Sequence, residues 1–165
     1  KLWYRSQHKV DFEGNAMRIV REIDVAAPRN GVWKLIADDA QRQLWMPDLV
    51  AITYPAGRPN GDPTGTRIRK TFKAQQSIRT YSGEVTAYVE HRLRSLHLED
   101  EAIAMSIDYH LGGQGHVTRV RYAVSAALRK GGGGTLLGLV RPLMEARMEA
   151  RLRRLKSVAE DRPSP

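Results

Sequence analysis

The sequence predicts an α+β domain in which one antiparallel sheet of seven strands wraps around a long C-terminal helix. Two short helices are predicted between the first and second strands. Three observations predict this class. Apolar and polar residues alternate over most of residues 17–128, as in strands buried on one face. Short turns join these segments, which favours antiparallel pairing of consecutive strands. An apolar stripe at helical spacing follows near the C-terminus.

The composition is that of one folded domain. The 165 residues are 41% hydrophobic and 27% charged, which is ordinary for a globular chain that can bury a core. Cysteine is absent, which excludes disulfides and thiol catalysis and favours a reducing, cytoplasmic location. The start, Lys1-Leu2-Trp3-Tyr4, lacks the apolar core of a signal peptide. We divide the chain into an N-terminal arm (1–16), one domain (17–160) and a C-terminal tail (161–165).

The formal charge of +9, from 27 Lys+Arg against 18 Asp+Glu, suggests an anionic partner. The arginines are spread along the chain and do not cluster with aromatic residues. This spread argues against nucleic acid and favours a basic surface that keeps the protein in solution. An acidic membrane, contacted by the basic last helix, is an alternative partner. The sequence does not indicate an oligomeric state.

The first three elements are a strand and two short helices. Met17, Ile19 and Ile23 alternate with polar residues, as in a half-buried strand. Pro28 suits the start of a helix, where its missing N–H needs no partner. Pro47 stops the second helix. These elements are predicted at 17–25, 29–37 and 40–45.

Six further strands follow, because the same alternation recurs between turn-rich segments. It is clearest in Ile103, Met105, Ile107 and Tyr109. Gly- and Pro-rich residues at 55–65 form a loop, and Gly-Gly-Gln-Gly at 112–115 is a hairpin turn. The six strands are predicted near 50–54, 68–72, 81–89, 93–98, 103–109 and 120–128.

A long helix at 135–159 completes the predicted domain. Thr135 can cap its N-terminus, and Pro142 should bend it or split off its first turn. An apolar stripe marks the face that covers the sheet, and one helix cannot fill a curved sheet, so we expect a cavity between them. The stripe comprises Leu136, Val140, Leu143, Met144, Met148, Leu152, Leu155 and Val158.

Four consecutive glycines, 131–134, precede this helix. Glycine is costly to order, so the run is predicted to lie outside the helix. A flexible joint that opens the cavity and a plain surface loop are both consistent with it. A phosphate-binding loop is disfavoured, because the run lacks a Gly-Lys-Ser/Thr ending.

Three stretches resemble a known superfamily. They are VREIDVAAPRNGVWKLIADDAQRQLWMPDLV from Val20, SGEVTAYVEHRLRSLHLED from Ser82, and the ending from Thr118 to Glu160. They look like the SRPBCC superfamily, which includes START-like, polyketide cyclase/dehydratase-like and coenzyme Q-binding proteins. The resemblance covers about residues 17–160. It implies a helix-grip fold with a hydrophobic cavity, and it places the aromatic Trp45 at the cavity mouth.

The main functional signal is a polar residue at a strand position where the alternation predicts an apolar one. Arg21 shares a strand face with Ile19 and Ile23, and Lys70 shares one with Ile68 and Phe72. A buried cation needs an anion, water or a route to solvent. A ligand carboxylate or phenolate is the functional interpretation, and a bulge or strand end is the structural one. Tyrosines at 81, 88, 109 and 122 add hydroxyls that suit either a small-molecule site or core packing.

We therefore expect the protein to bind a hydrophobic or amphipathic small molecule, such as a lipid, quinone or polyketide-like compound, between sheet and helix. The alternative is a polyketide cyclase/dehydratase-like enzyme that uses a pocket general acid or base. Five scattered histidines and no obvious acid–base pair favour binding over catalysis, and we assign no catalytic residue, metal or cofactor. The predicted ligand-binding residues are Trp45, Ile68, Lys70, Phe72, Tyr81, Met105, Tyr109, Tyr122, Leu137, Val140, Met144 and Met148.

Overall fold

The predicted α+β fold is confirmed by the computed structural model, which describes residues 16–130 and 133–162. Seven strands and three helices occur in these residues, in the predicted order. Their bounds are β1 Ala16–Val25, α1 Arg29–Ala37, α2 Asp39–Arg42, β2 Leu49–Thr53, β3 Arg67–Ala74, β4 Ser77–Val89, β5 Leu93–Glu99, β6 Ile103–Gly112, β7 Thr118–Leu128 and α3 Gly133–Glu160.

The strands form one antiparallel sheet in the order β1-β7-β6-β5-β4-β3-β2. Strands β2 to β7 are neighbours in chain order, as short connections favour. The first strand pairs with the last, from Ala16 opposite Ala127 to Val25 opposite Thr118. This pairing brings the two ends of the domain together, so that α3 leaves the sheet beside its first strand.

The sheet curves at β4, where side chains would obstruct the backbone. A Cβ atom on Gly83 would lie 1.8 Å from the carbonyl oxygen of His97 on β5, so this position requires glycine. A register shift between Val85 and Ala87 adds a bulge two residues later. Glycines and bulges of this kind bend strands and increase twist. The curvature makes the inner face concave.

Helix α3 shares the inner face of the sheet with α1, and α2 packs on α1. Helix α3 packs chiefly on β1 and β7 and also contacts α1, which in turn contacts β6. The buried side chains of α1 are Val32, Trp33, Leu35 and Ile36. Among the described residues, no helix is both long and apolar enough to cross a bilayer.

The start of α3 differs from the prediction. The helix begins at Gly133, so two of the four glycines are helical and Thr135 is not the N-cap. The helix also continues through Pro142 without being split into two elements. Gly131 and Gly132 lie outside the described residues, and the hinge assigned to them stays a prediction.

The predicted core stripe of α3 is wrong in its first half. Leu136, Val140 and Leu143 are exposed, whereas Leu137 is buried. From Met148 onward the stripe is confirmed. The buried residues of the helix are Leu137, Met148, Leu152, Leu155 and Ala159. The apolar residues at 136, 140 and 143 gave the wrong helical phase, because hydrophobicity alone does not show which apolar face meets the sheet.

Candidate functional site

A row of polar side chains crosses the concave inner face of the sheet. Cross-strand pairing places Arg21 of β1 opposite Tyr122 of β7, then Tyr109 of β6, and then Arg94 of β5. Directly opposed residues on one sheet face are near neighbours. The outer members differ in exposure: Arg21 is part-exposed, whereas Arg94 is buried.

Arg21 pairs with two carboxylates of α3. Its guanidinium lies 3.0 Å from Glu149 Oε1 and 3.4 Å from Glu145 Oε2. These ion pairs join the edge strand β1 to the helix beside it. Arg21 therefore has a structural partner, and nothing about it calls for a ligand.

Tyr109 and Tyr122 form the centre of the row. Their rings stack with centroids 4.8 Å apart, and the indole of Trp45 meets the Tyr109 ring edge-on at 6.0 Å. Both tyrosines are about 1% exposed. Burial and the neighbouring Tyr122 raise the pKa of Tyr109 well above its usual value, so the Tyr109 hydroxyl is a neutral donor or acceptor at neutral pH.

The C-terminus of α1 accounts for two buried arginines. Trp45 Nε1 donates to the carbonyl of Leu35 at 2.7 Å. Arg42 donates to the carbonyl of Ile36, and Arg94 Nη1 donates to that of Ala37 at 2.6 Å. Cations and donors at this position satisfy the last carbonyls of the helix and complement its dipole. Burial and the nearby Arg94 lower the pKa of Arg42 to about 10, so the group stays charged at neutral pH.

Arg151 of α3 joins these side chains. We call the whole group the inner-face cluster; it comprises Arg42, Trp45, Asp48, Lys70, Arg94, Tyr109, Tyr122 and Arg151. Its Nη2 atom lies 2.6 Å from Asp48 Oδ2, and its Nη1 atom donates to the Tyr122 hydroxyl at 3.3 Å. The guanidinium carbon also lies 5.3 Å from the centroid of the Phe72 ring, a cation–π contact. Arg151 thus joins the helix to β7, to β3 and to the segment before β2.

Lys70 of β3 is the unpaired cation of the cluster. The residue is 2% exposed, and no side-chain hydrogen bond or ion pair joins it to another described residue. Burial lowers its pKa well below the usual value, and the positive charges of Arg42, Arg94 and Arg151 lower it further, against an opposing effect of Asp39. The neutral amine is therefore more accessible to Lys70 than to an exposed lysine.

A groove of about 460 Å³ opens beside this cluster, between α3 and the segment that follows α2. Trp45 and Arg151 line it and also contact the buried tyrosines. Asp48 also lines the groove and accepts a hydrogen bond from Arg151. The groove therefore offers a small molecule a route from solvent toward Tyr122. Its remaining lining residues are Pro47, Arg147, Ala150 and Arg154.

Most of the predicted ligand-binding residues lie at the inner face, at three levels of burial. The structure brings Trp45 to Tyr109 and Tyr122, and it brings Phe72 to Tyr81 with ring centroids 6.0 Å apart. Val140 lies apart from the others on the exposed face of α3. The buried residues are Trp45, Ile68, Lys70, Tyr109, Tyr122, Leu137 and Met148, and the partly buried ones are Phe72, Tyr81, Met105 and Met144. Their binding of a ligand stays a prediction.

Sequence reasoning missed Arg42, Arg94, Arg151 and Asp48. The signal for Arg94 was present, because it shares the inward phase of Leu96 and Leu98 on β5 just as Lys70 shares that of its neighbours. Arg151 lies one turn from Met148 and could have been placed beside the buried stripe. The role of Arg42 depends on how α2 packs on the end of α1, which no local pattern reveals.

The four described histidines, His91, His97, His110 and His116, do not form a site. Pairing places His97 opposite Ser106 and His110 opposite Leu93, so these two rings are separated along the strands. In the described part of the chain, no three side chains of the metal-binding types come together. The inner-face cluster is therefore the candidate site.

The comparisons with known proteins agree with the fold. Residues 16–160 match the family described as polyketide cyclase / dehydrase and lipid transport. The chain belongs to this family. The resemblance to the START-like and SRPBCC proteins is thereby confirmed. No curated protein matches the sequence.

Solved structures of three kinds resemble this member of the polyketide cyclase / dehydrase and lipid transport family. An aromatase/cyclase from Streptomyces sp. R1128 has a TM-score of 0.73 at 15% identity, covering 88% of this chain and 94% of that one. A START superfamily protein from Mycobacterium smegmatis gives 0.71 at 15%, covering 87% and 97%. A truncated norcoclaurine synthase from Thalictrum flavum gives 0.65 at 12%, covering 90% and 96%. At these identities the likeness shows the fold.

Proposed function

We propose that the protein binds an amphipathic small molecule with an apolar body and an anionic or electron-rich oxygen. The ligand lies against the inner face of the sheet, and its oxygen faces Lys70. The observation that carries this proposal is the burial of Lys70 without a hydrogen-bonding partner for its amine among the described residues. The family, which spans polyketide cyclases and lipid transport, supports a ligand of this class.

The charges of the cluster explain why an anionic group suits it. Arg42, Arg94 and Arg151 each have at least one acceptor, although Nε of each and Nη1 of Arg42 are buried without one. Lys70 has no acceptor at all among the described residues. A buried amine without an acceptor loses its hydration and gains nothing in return. A carboxylate, phenolate or enolate oxygen beside Lys70 would supply the missing acceptor and stabilise the ammonium form.

The apolar body of the ligand has a matching surface. Ile68 and Phe72 flank Lys70 on the same face of β3, and Tyr81 lies opposite Lys70 on β4. The partly buried Met105 adds a side chain that adapts to irregular shapes. Sites for small molecules commonly combine a few polar groups with such an apolar lining.

A second function, proton transfer in a cyclase or dehydratase reaction, is favoured by the depressed pKa of Lys70. A neutral amine can accept a proton from a carbon next to a ligand carbonyl, which leaves an enolate and an ammonium ion. The enolate oxygen would then be stabilised by the positive charges around it. Lys70→Arg distinguishes the two functions, because arginine keeps a cation for binding but is a poor base.

Calorimetric titration with two probes of nearly the same shape, 2-naphthoate and 2-naphthamide, tests the binding proposal at neutral pH. The wild type is expected to prefer the carboxylate. Lys70→Met is expected to weaken carboxylate binding about tenfold to a hundredfold, because a charge-assisted hydrogen bond contributes about 1.5–3 kcal/mol. Amide binding should change much less.

Lys73→Met is the matched control, because Lys73 lies on the same strand with an exposed side chain. It is expected to bind both probes as the wild type does. Circular dichroism shows whether each variant is folded. Equal binding of the two probes by the wild type, or equal effects of the two lysine substitutions, would contradict the assignment of Lys70 as the ligand's partner.

A further inference from the structure

The first half of α3 carries an apolar face that no described residue covers. Leu136 is 56% exposed, Leu139 75%, Val140 37% and Leu143 60%. Their spacing of i, i+3, i+4 and i+7 places them along one stripe of the helix. We call these four residues the apolar ridge. Of residues 135–147, Leu137 alone is fully buried, so this part of the helix stands largely clear of the core.

The ridge lies at the end of the sheet where another exposed apolar residue is found. Strand pairing places four strand ends at this same end of the sheet: the end of β7, the start of β6, the end of β5 and the start of β4. The hairpin between β3 and β4 extends further in that direction and carries Ile78, which is 68% exposed. Large exposed apolar side chains concentrated at one end of a molecule mark an interaction surface.

Positive charge borders the ridge. Arg147 follows Leu143 by four residues, on the same stripe and about 6 Å along the axis. Lys130 precedes the helix, and Lys73 lies on the β3–β4 hairpin; all three side chains are exposed. Two acidic neighbours pair with arginines, Glu145 with Arg141 and Asp100 with Arg79, whereas Glu101 in the β5–β6 connection is exposed.

We propose that the apolar ridge docks on an anionic lipid bilayer. An apolar stripe with cations beside it matches the boundary between acyl chains and negatively charged headgroups. The four apolar side chains enter the acyl boundary, and Arg147 lies at the level of the lipid phosphates. The excess of positive charge in the whole chain favours this orientation over a contact between two copies, whose like charges would repel.

Docking of this kind would place the groove beside Trp45 near the membrane. Arg147 and Arg154 line that groove, and they lie on the same stripe of α3 as the ridge. A ligand held in a bilayer would then pass along the helix without crossing bulk water. The docking proposal does not depend on the identity of that ligand.

Sedimentation of the protein with vesicles tests the docking surface. The vesicles are pure phosphatidylcholine or phosphatidylcholine with about a third of phosphatidylglycerol, an anionic lipid. The wild type is expected to bind the anionic vesicles more strongly than the neutral ones and to release at high salt. Failure to bind anionic vesicles would overturn the proposal.

Leu139→Glu is expected to weaken vesicle binding about tenfold or more, since it places a negative charge in the apolar contact. Val117→Glu is the matched control. Val117 is also an exposed apolar residue, at 46%, but it lies in the β6–β7 connection at the opposite end of the sheet. Equal binding by the two variants would overturn the proposal.

Two further measurements separate the alternatives. Light scattering after size-exclusion chromatography detects a second copy on the ridge, and a dimer that Leu139→Glu dissociates would contradict membrane docking. The affinity of Leu139→Glu for 2-naphthoate is expected to match that of the wild type, because the Leu139 side chain is exposed on α3 and does not contact the inner-face cluster. This result keeps a failure of docking distinct from a failure of the ligand site.

Discussion

At the scale of single residues, Lys70 differs from the arginines around it by having no acceptor among the described residues. Arg42 and Arg94 bind carbonyls at the end of α1, and Arg151 binds Asp48. These three therefore have structural reasons to be buried. A buried cation without an acceptor is costly to the fold, and groups of this kind often mark a functional site.

Replacing Lys70 with methionine should raise the free energy of unfolding by about 1–3 kcal/mol at neutral pH, because an unsatisfied buried donor is removed. The gain should shrink with rising pH. The folded-state pKa of Lys70 lies below its unfolded value, so between the two values the unfolded chain binds more protons. In that window wild-type stability rises with pH.

Urea unfolding at neutral pH and near the pKa of a free lysine measures this difference. Lys73→Met, at an exposed position on the same strand, is expected to change stability little at either pH. A loss of stability in Lys70→Met at neutral pH would show that the amine has a partner after all.

The residue scale also shows what the sequence could predict. Lys70 was identified because it interrupts the apolar alternation between Ile68 and Phe72. The same test applied to β5 would have found Arg94. Arg42 lies in a helix of only four residues, too few for the sequence pattern to show which face is buried. Its hydrogen-bonding partner also belongs to another element.

At the scale of elements, α1 is stabilised at its C-terminus by side chains from distant positions. Arg94 of β5 supplies hydrogen bonds to the carbonyls of Ile36 and Ala37. Arg94→Met should lower the free energy of unfolding by about 1–3 kcal/mol, since it leaves buried carbonyls with fewer donors. Arg92→Met, at an exposed position two residues earlier, is the control for urea unfolding. Similar midpoints for both variants would argue against this role of Arg94.

The two halves of α3 should respond differently to loss of an apolar side chain. Met148 is 2% exposed, and Met148→Ala should cost about 2–5 kcal/mol in the free energy of unfolding. Leu143 is largely exposed, and Leu143→Ala should stay within about 0.5 kcal/mol of wild type. Thermal unfolding of both variants measures the difference. Equal destabilisation would mean that Leu143 packs on the core.

The long helix shows the limit of pattern reading for an element. Its length and position were predicted, but two apolar stripes run along its first half, one through Leu137 and one through the exposed ridge. Periodicity cannot rank two such stripes, and burial depends on where the sheet ends beneath the helix. The richer stripe was chosen, and it is the exposed one.

At the scale of the whole molecule, curvature of the sheet determines the site. The cluster combines residues from α2, β3, β5, β6, β7 and α3, and the glycine at 83 and the bulge between Val85 and Ala87 favour a curved β4. Strand order and alternation predicted the concave face and several of its residues. The contacts among the charged groups could not be predicted, because they depend on distances between segments far apart in sequence.

Proton uptake on ligand binding tests the central claim most directly. Titrations of 2-naphthoate into the wild type, in two buffers of different ionisation enthalpy, count the protons that the complex takes up. The amine of Lys70 is predicted to be neutral before binding and an ammonium ion beside the carboxylate afterwards, so uptake should approach one proton at a pH above the depressed pKa. Lys70→Met should take up none. Binding of naphthoate without proton uptake by the wild type, or with the same uptake in both proteins, would contradict the account.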